Sequence, residues 1–333
     1  MVWMTWLKFI LCVIAILFFG NRVARHGDII AHKTGLGRVW IGLILLALVT
    51  SLPELFTGIS AITLVDAPDL TIGDLFGANA FNLLNLVFLD IAYQNGIFLR
   101  AISQGHRLTG WLSLVLVLVA TVSIVISHQF SNLGIAGSWI GWYTPVIILL
   151  YLVFVRALFR FEQRQPSPPI AEVEYEEKSL GRSYLHFAIA AFFLIGVGIW
   201  LATIGDEIAG VTGLGQSFVG SLFLAFSTSL PEITVSFAAM RMGAVDLAVA
   251  NMIGSNLFNM TIIPIDDLLY TKGPVLAAVS ESNLIIGSAV ILMTLIFIAG
   301  LHFKPKRYFR LSWCNCILII LFFLGAYLNF TLA

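Results

Sequence analysis

Apolar positions along this chain gather in ten runs, roughly residues 4–20, 38–63, 71–94, 109–127, 139–159, 183–204, 215–240, 246–270, 282–302 and 311–331, with most charged residues in the gaps between them. A helix rises about 1.5 Å per residue and a bilayer's hydrocarbon core is about 30 Å thick, so runs near 20 residues have the length of a membrane crossing. Inside lipid every backbone polar group must be satisfied within its own segment, which selects helices for such runs. The pattern predicts an all-α polytopic membrane protein with ten transmembrane helices. A mean hydropathy of +0.97, with 59% hydrophobic and 11% charged residues, excludes a soluble globule.

The basic residues orient this arrangement, because Lys and Arg are retained on the cytoplasmic side. With both termini outside, 16 of the 18 Lys and Arg fall in cytoplasmic segments, leaving only Lys8 and Lys272 outside. A miscount by one helix would destroy that asymmetry. The first run has no Ala-x-Ala cleavage site and its basic flank, Arg22 and Arg25, follows it, so it reads as helix 1 rather than a signal peptide. The expected location is a cell (inner) membrane. Net charge is zero and segregated by side, and nothing points to nucleic acid. Cys12, Cys314 and Cys316 lie in or at apolar spans without clustered co-ligands, and the six histidines fall in loops or near span ends.

Polar residues within the runs carry the functional signal. Thr50-Ser51-Leu52-Pro53-Glu54 recurs 178 residues later as Thr228-Ser229-Leu230-Pro231-Glu232. The match starts at Gly27-Asp28 against Gly205-Asp206 and includes Thr34-Gly35-Leu36-Gly37 against Thr212-Gly213-Leu214-Gly215. After one deleted position it resumes as Gly77-Ala78-Asn79-Ala80-Phe81-Asn82 against Gly254-Ser255-Asn256-Leu257-Phe258-Asn259. Two five-helix repeats are therefore expected, residues 1–162 and 183–333. They are joined by a solvated cytoplasmic linker, 163–182, which carries Pro166, Pro168, Pro169 and the acids Glu172, Glu174, Glu176 and Glu177. Helix 1 would start outside and helix 6 inside, giving the repeats inverted topology, as in many secondary transporters.

Helix geometry gives the repeated motif its chemistry. Thr50, Ser51 and Glu54 are related by i+3 and i+4, as are Thr228, Ser229 and Glu232, so each trio shares one helix face. Pro53 and Pro231 lack an N–H and clash with the carbonyls of Val49 and Ser227, which frees backbone oxygen one turn earlier. Asp74, Ala78, Asn82 and Asn85 form a polar face on helix 3, and Asn251, Ser255 and Asn259 form the corresponding face on helix 8. Gly73, Gly77 and Gly254 permit close helix approach. A buried acid costs about 2.5–3.5 kcal/mol on insertion scales, so Glu54, Asp74 and Glu232 together cost on the order of 8–10 kcal/mol. Hydroxyl, carboxylate and carbonyl oxygens are the hard ligands that calcium and sodium prefer, and a bound cation would compensate that cost.

These two copies resemble the alpha-repeats of the calcium/cation antiporter superfamily, in particular prokaryotic sodium/calcium exchangers, over nearly the whole chain. The resemblance implies ten helices, a central site between helices 2, 3, 7 and 8, and exchange of calcium for sodium by alternating access, with both ions as cargo rather than cofactors. It implies Glu54 and Glu232 as principal calcium ligands. Thr50, Ser51, Thr228 and Ser229 would add hydroxyl or carbonyl oxygens, and Asp74, Asn251 and Ser255 complete the candidate set. Ala78 departs from the usual serine and removes one hydroxyl.

Carboxylates in a low-dielectric site tolerate one calcium or several sodium ions but not both loads, which makes an exchanger rather than a cotransporter. Gly27-Asp28 and Gly205-Asp206 are candidate hinge or end-cap positions on helices 1 and 6. The alternative within transport is proton-driven or potassium-linked calcium exchange. No nucleophile and base pair, zinc spacing or repeated pore loop supports an enzyme or a channel.

Overall fold

The structure, a computed structural model, describes residues 2–34, 46–93, 98–103, 105–130, 135, 138–162, 179–241, 243–303 and 312–332. The start of the expected second span (38–45), Gly35 to Gly37 and linker residues 163–178 with their acids lie outside the described residues. So do Arg38, Arg164, Lys178, Lys304, Lys306, Arg307 and Arg310.

The described residues fold as helices. These are α1 (Val2–Thr34), α2 (Ala47–Thr50), α3 (Leu52–Ser60), α4 (Pro68–Ala92), α5 (Phe98–Ala101), α6 (Gly105–Gln129), α7 (Tyr143–Glu162), α8 (Leu180–Thr212), α9 (Gln216–Val219), α10 (Ala225–Thr228), α11 (Leu230–Arg241), α12 (Val245–Leu269), α13 (Val275–Ala278), α14 (Ser282–Phe303) and α15 (Trp313–Leu332). Among them, eight are long and apolar enough to cross a membrane. The broken pair Gln216–Thr228 and Leu230–Arg241, bent by 42°, makes a ninth candidate, and Leu52–Val65 is a shorter apolar helix.

Burial sorts these helices into layers. α4 and α12 are buried along most of their length, whereas α1, α7 and α15 turn large apolar side chains such as Leu7, Ile14, Leu149, Leu152, Phe323 and Tyr327 outward. A span that faces lipid on one side needs apolar residues there; one enclosed by protein can carry polar side chains instead. That is why Asp74, Asn79, Asn82, Asn251, Ser255 and Asn259 all sit on α4 and α12. One core surrounds these two helices and includes α6 and α14, while α1 and α8 pack on each other and form a second core at the flank.

The flanking pair corrects one expectation. Gly27 and Gly205 do not cap helix ends, because α1 and α8 continue through them to Thr34 and Thr212. Each glycine is a packing contact: a β-carbon at Gly205 would lie 2.7 Å from Leu224 Cδ1, and one at Gly27 would lie 3.6 Å from Val49 Cγ1. Asp206 accepts from Gln216 Nε2 at 2.8 Å. The end of α8 comes at Gly213, whose φ of 72° is the left-handed conformation that closes a helix cheaply only with glycine.

The two copies of the repeated motif both break their helices at the serine before Leu-Pro. Ser51 (φ −87°, ψ 14°) and Ser229 (φ −79°, ψ 0°) leave the helical region, and the following segments restart with proline in their first turn, where no N–H is needed. Each half also contains a π turn, Ala61–Val65 after α3 and Gly220–Leu224 before α10. The first closes on Asp66, which takes a left-handed φ of 59° and pairs with Lys272. Hydrogen bonding to that carboxylate raises the Lys272 ammonium above the usual lysine range.

Asp267 ties the loops at one end of the bundle to α12. It accepts from Gly141 N (2.8 Å), Tyr143 Oη (2.6 Å), Thr144 Oγ1 (2.5 Å) and Val275 N (2.8 Å), while Tyr143 Oη accepts from Leu276 N at 2.9 Å. Tyr143→Phe removes two of these bonds in a buried setting and leaves the Leu276 N–H without a partner. We expect a loss of about 1–3 kcal/mol of stability, read as a lower midpoint in detergent unfolding.

Candidate cation-binding site

Thr50, Ser51, Glu54, Asp74, Thr228, Ser229, Glu232, Asn251 and Ser255 are all buried, each at 0–1% exposure. The two helix breaks bring them together. At each break the chain turns, so the residues just before and after it point toward the opposite half of the molecule rather than around a continuous helix.

The contacts come in two related sets. Ser51 Oγ donates to Glu232 Oε1 at 3.0 Å, and Ser255 Oγ donates to the same oxygen at 3.3 Å. Thr50 Oγ1 lies 3.4 Å from both Asn251 Oδ1 and Ser255 Oγ and back-bonds to Leu46 O at 3.0 Å. In the other half, Thr228 Oγ1 is 3.1 Å from Asp74 Oδ1 and 3.1 Å from Leu224 O. Asn251 Nδ2 donates to Glu232 O (3.2 Å) and Ser236 Oγ (3.0 Å).

The two sets are not equally satisfied. Ser51 bonds Glu232, but Ser229 Oγ and both carboxylate oxygens of Glu54 are buried with no hydrogen-bond partner, as are Asp74 Oδ2 and Glu232 Oε2. Glu54 and Asp74 lie within electrostatic reach of Glu232 and share Thr228 as a neighbouring hydroxyl. Buried carboxylate oxygens without donors are costly, and cations bound among them would offset that cost. Among the described residues no three His, Cys, Asp or Glu side chains converge as a ready-made metal cage. The donor set is instead spread over carboxylates, hydroxyls and amide oxygen, which suits a cargo ion that must also leave.

Two asparagines of the polar faces also join the helices, while the Oδ1 of each stays buried without a partner. Asn82 and Asn259 do not turn their amide nitrogens to the ion site: Asn82 Nδ2 donates to Asn256 Oδ1 (2.9 Å) and Asn259 Nδ2 to Asn79 Oδ1 (3.2 Å). Asn79 and Asn256 exchange further bonds with each other's main-chain carbonyls, at 3.3 and 3.2 Å. Together they clamp α4 to α12 where the helices cross. The Asn-x-x-Asn spacing repeated in both halves was the available signal for this clamp. Gly73 and Gly77 do permit close approach, but to α9 and the Gly220–Leu224 turn: a β-carbon at Gly73 would lie 2.7 Å from Ser217 O and 3.1 Å from Ser221 N. Ser236, Asp266 and Asp267 are buried polar residues that the sequence reading left unassigned.

Known proteins match this architecture along its length. The profile of the family described as "Sodium/calcium exchanger protein" matches residues 4–160 and again 182–332. Relatives include the inner membrane protein YrbG of Escherichia coli, 24% identical over 272 residues and 79% of each chain. The putative antiporter CaxA of Alkalimonas amylolytica is 23% identical over 326 residues and 96% of each chain. Among solved structures, a sodium-calcium exchanger, NCX_Mj, superposes with a TM-score of 0.61 at 22% identity, covering 98% of this chain and 99% of that one. Native YfkE superposes with a TM-score of 0.67 at 17% identity, covering 97% and 92%. With both halves matched by one profile and the duplicated motif lying inside each match, the chain belongs to the sodium/calcium exchanger family of membrane antiporters.

Proposed function

We propose that this protein exchanges calcium for sodium by alternating access, through ten transmembrane helices arranged as two inverted five-helix repeats, in an inner membrane with both termini outside. The observation that carries the reading is the cluster of partnerless buried oxygens on Glu54, Ser229, Asp74 and Glu232 at two matching helix breaks. The hydroxyls of Thr50, Ser51, Thr228, Ser229 and Ser255 and the Asn251 amide oxygen supply neutral ligands for sodium beside the carboxylates, whose charge calcium needs more. The names of NCX_Mj and CaxA point the same way, as does the split of basic residues between the two sides. The α1 and α8 pair, which forms its own core at the flank, is the body that would slide against the α4 and α12 core.

Proteoliposomes loaded with calcium-45 test the reading. Outward calcium flux should rise with an inward sodium gradient and fall as pH is lowered, since protonating the carboxylates removes ligand charge. A flux indifferent to sodium but driven by an acid-outside gradient would transfer the assignment to proton exchange, and an absolute potassium requirement would make it potassium-linked.

A further inference from the structure

Two departures from the internal repeat meet at one place. At the offset that aligns Glu54 with Glu232, Gly58 aligns with Ser236. At the offset that aligns Gly77 with Gly254, Asp74 aligns with Asn251 and Leu89 with Asp266. In the second half Ser236 Oγ accepts from Asn251 Nδ2, so amide and hydroxyl satisfy each other. In the first half the amide has become the Asp74 carboxylate and the hydroxyl has disappeared at Gly58. A third change, Asp266 in place of an apolar residue, fills the space: a β-carbon at Gly58 would lie only 2.9 Å from Asp266 Oδ2.

Asp266 is fully buried, and neither of its oxygens has a hydrogen-bond partner. Its neighbour Asp267 shows what a structural aspartate looks like here, with four donors around it. Asp266 instead faces like charge, being within electrostatic reach of Asp74, whose Oδ2 is also partnerless. Beside them Thr71 Oγ1 donates to Gly58 O at 3.3 Å, placing a hydroxyl and a carbonyl oxygen at the same spot. Buried carboxylate oxygens left without donors, beside a hydroxyl and a carbonyl oxygen, have the chemistry that a cation answers.

We propose that Asp266, Asp74 Oδ2, Thr71 and the Gly58 carbonyl form an additional alkali-cation subsite, one helical turn from Glu54 along α3. Four residues of rise place it roughly 6 Å from the central site. Two carboxylates shared with neutral oxygens fit a monovalent ion, because Asp74 also serves the central cation. With Glu54, Glu232, Asp74 and Asp266 all ionised, one calcium leaves two negative charges uncompensated, and the subsite ion offsets one of them. The inference adds a site to the proposed exchanger but stands on the geometry at Asp266, whichever ion drives transport.

The test is thermal unfolding of the purified full chain in detergent, titrated with sodium chloride, potassium chloride or choline chloride, and separately with calcium. In wild type, sodium or potassium should raise the unfolding midpoint above choline at equal ionic strength. Asp266→Asn should increase the half-saturating alkali concentration by about tenfold, the equivalent of one lost charged ligand, while calcium stabilisation persists. Gly58→Ser, which returns the hydroxyl present at Ser236, should do the same and decides the matter if Asp266→Asn does not fold. Whichever of sodium or potassium loses more of its shift in Asp266→Asn identifies the subsite ion. Alkali titrations identical in wild type and variant would overturn the subsite, as would a wild type indifferent to both alkali ions. Loss of calcium and alkali responses together would merge Asp266 into the central site and overturn it as a separate one. A wild type that responds to alkali ions but not to calcium would instead sink the exchanger reading.

Discussion

Glu54→Gln and Glu232→Gln should each reduce calcium exchange in proteoliposomes by about 100-fold or more, because removing one charged oxygen from a buried ion costs about 3 kcal/mol. The two variants should differ in the absence of ions. Glu232 Oε1 accepts from Ser51 and Ser255, and a glutamine oxygen can accept both bonds, so Glu232→Gln should leave the melting midpoint in chelator nearly unchanged. Neither carboxylate oxygen of Glu54 makes a hydrogen bond of normal geometry, and the group sits in a field of two other carboxylates. Glu54→Gln removes one like charge and adds an N–H that Asp74 can accept, so this variant should melt higher than wild type in chelator and lose its stabilisation by calcium. Near-normal flux in either variant, with protein correctly folded, would remove the central site from the mechanism.

Gly77→Ala should cost the protein both stability and transport. A β-carbon there would lie 2.6 Å from Ser221 Cα and 2.7 Å from Ala225 Cβ, so the obstacle is backbone on the facing turn and no rotamer can relieve it. Overpacking of this kind costs about 1–3 kcal/mol, more when backbone must shift. The shift would carry α4 away from α10 and stretch the Thr228 to Asp74 contact, now 3.1 Å. We expect a drop of several degrees in the detergent melting midpoint and at least about tenfold weaker calcium affinity by titration calorimetry. Gly196→Ala is the control: nothing lies within 4 Å of a β-carbon at that position, and its stability and affinity should match wild type. If Gly77→Ala behaved like the control, close packing of α4 would not be what sets the site.

Much of the architecture was legible because membrane crossing imposes a simple length and polarity rule, and because duplication prints each functional element twice. The motif pair placed Glu54 and Glu232, and helical spacing put Thr50, Ser51, Thr228 and Ser229 on their faces; all are buried together in the fold. The clamp residues were read less well. Asn82 and Asn259 occupy the polar face of their helix, and their amide nitrogens bond the facing helix while each Oδ1 stays buried without a partner. Which polar neighbour an amide meets depends on how α4 crosses α12, and helical spacing carries no information about that crossing. The end-cap reading of Gly27 and Gly205 failed for a related reason, since a glycine in an apolar helix signals an end or a contact equally well until the partner is known.

The sequence by itself determined the membrane class, the helical composition, the two repeats and the acids at the helix breaks, all of which follow from local period, local chemistry and self-similarity. Only the tertiary structure decided which oxygens are satisfied. The Ser51 hydroxyl reaches Glu232 while the Ser229 hydroxyl and the Glu54 carboxylate have no hydrogen-bond partner, the Asp267 carboxylate collects four donors while that of Asp266 beside it collects none, and both contrasts arise between chemically equivalent residues. Hydrogen bonding acts over about 3 Å, so the partner is set by the relative placement of helices far apart in sequence. Duplication makes the two halves alike along the chain, but it does not make their surroundings alike in space.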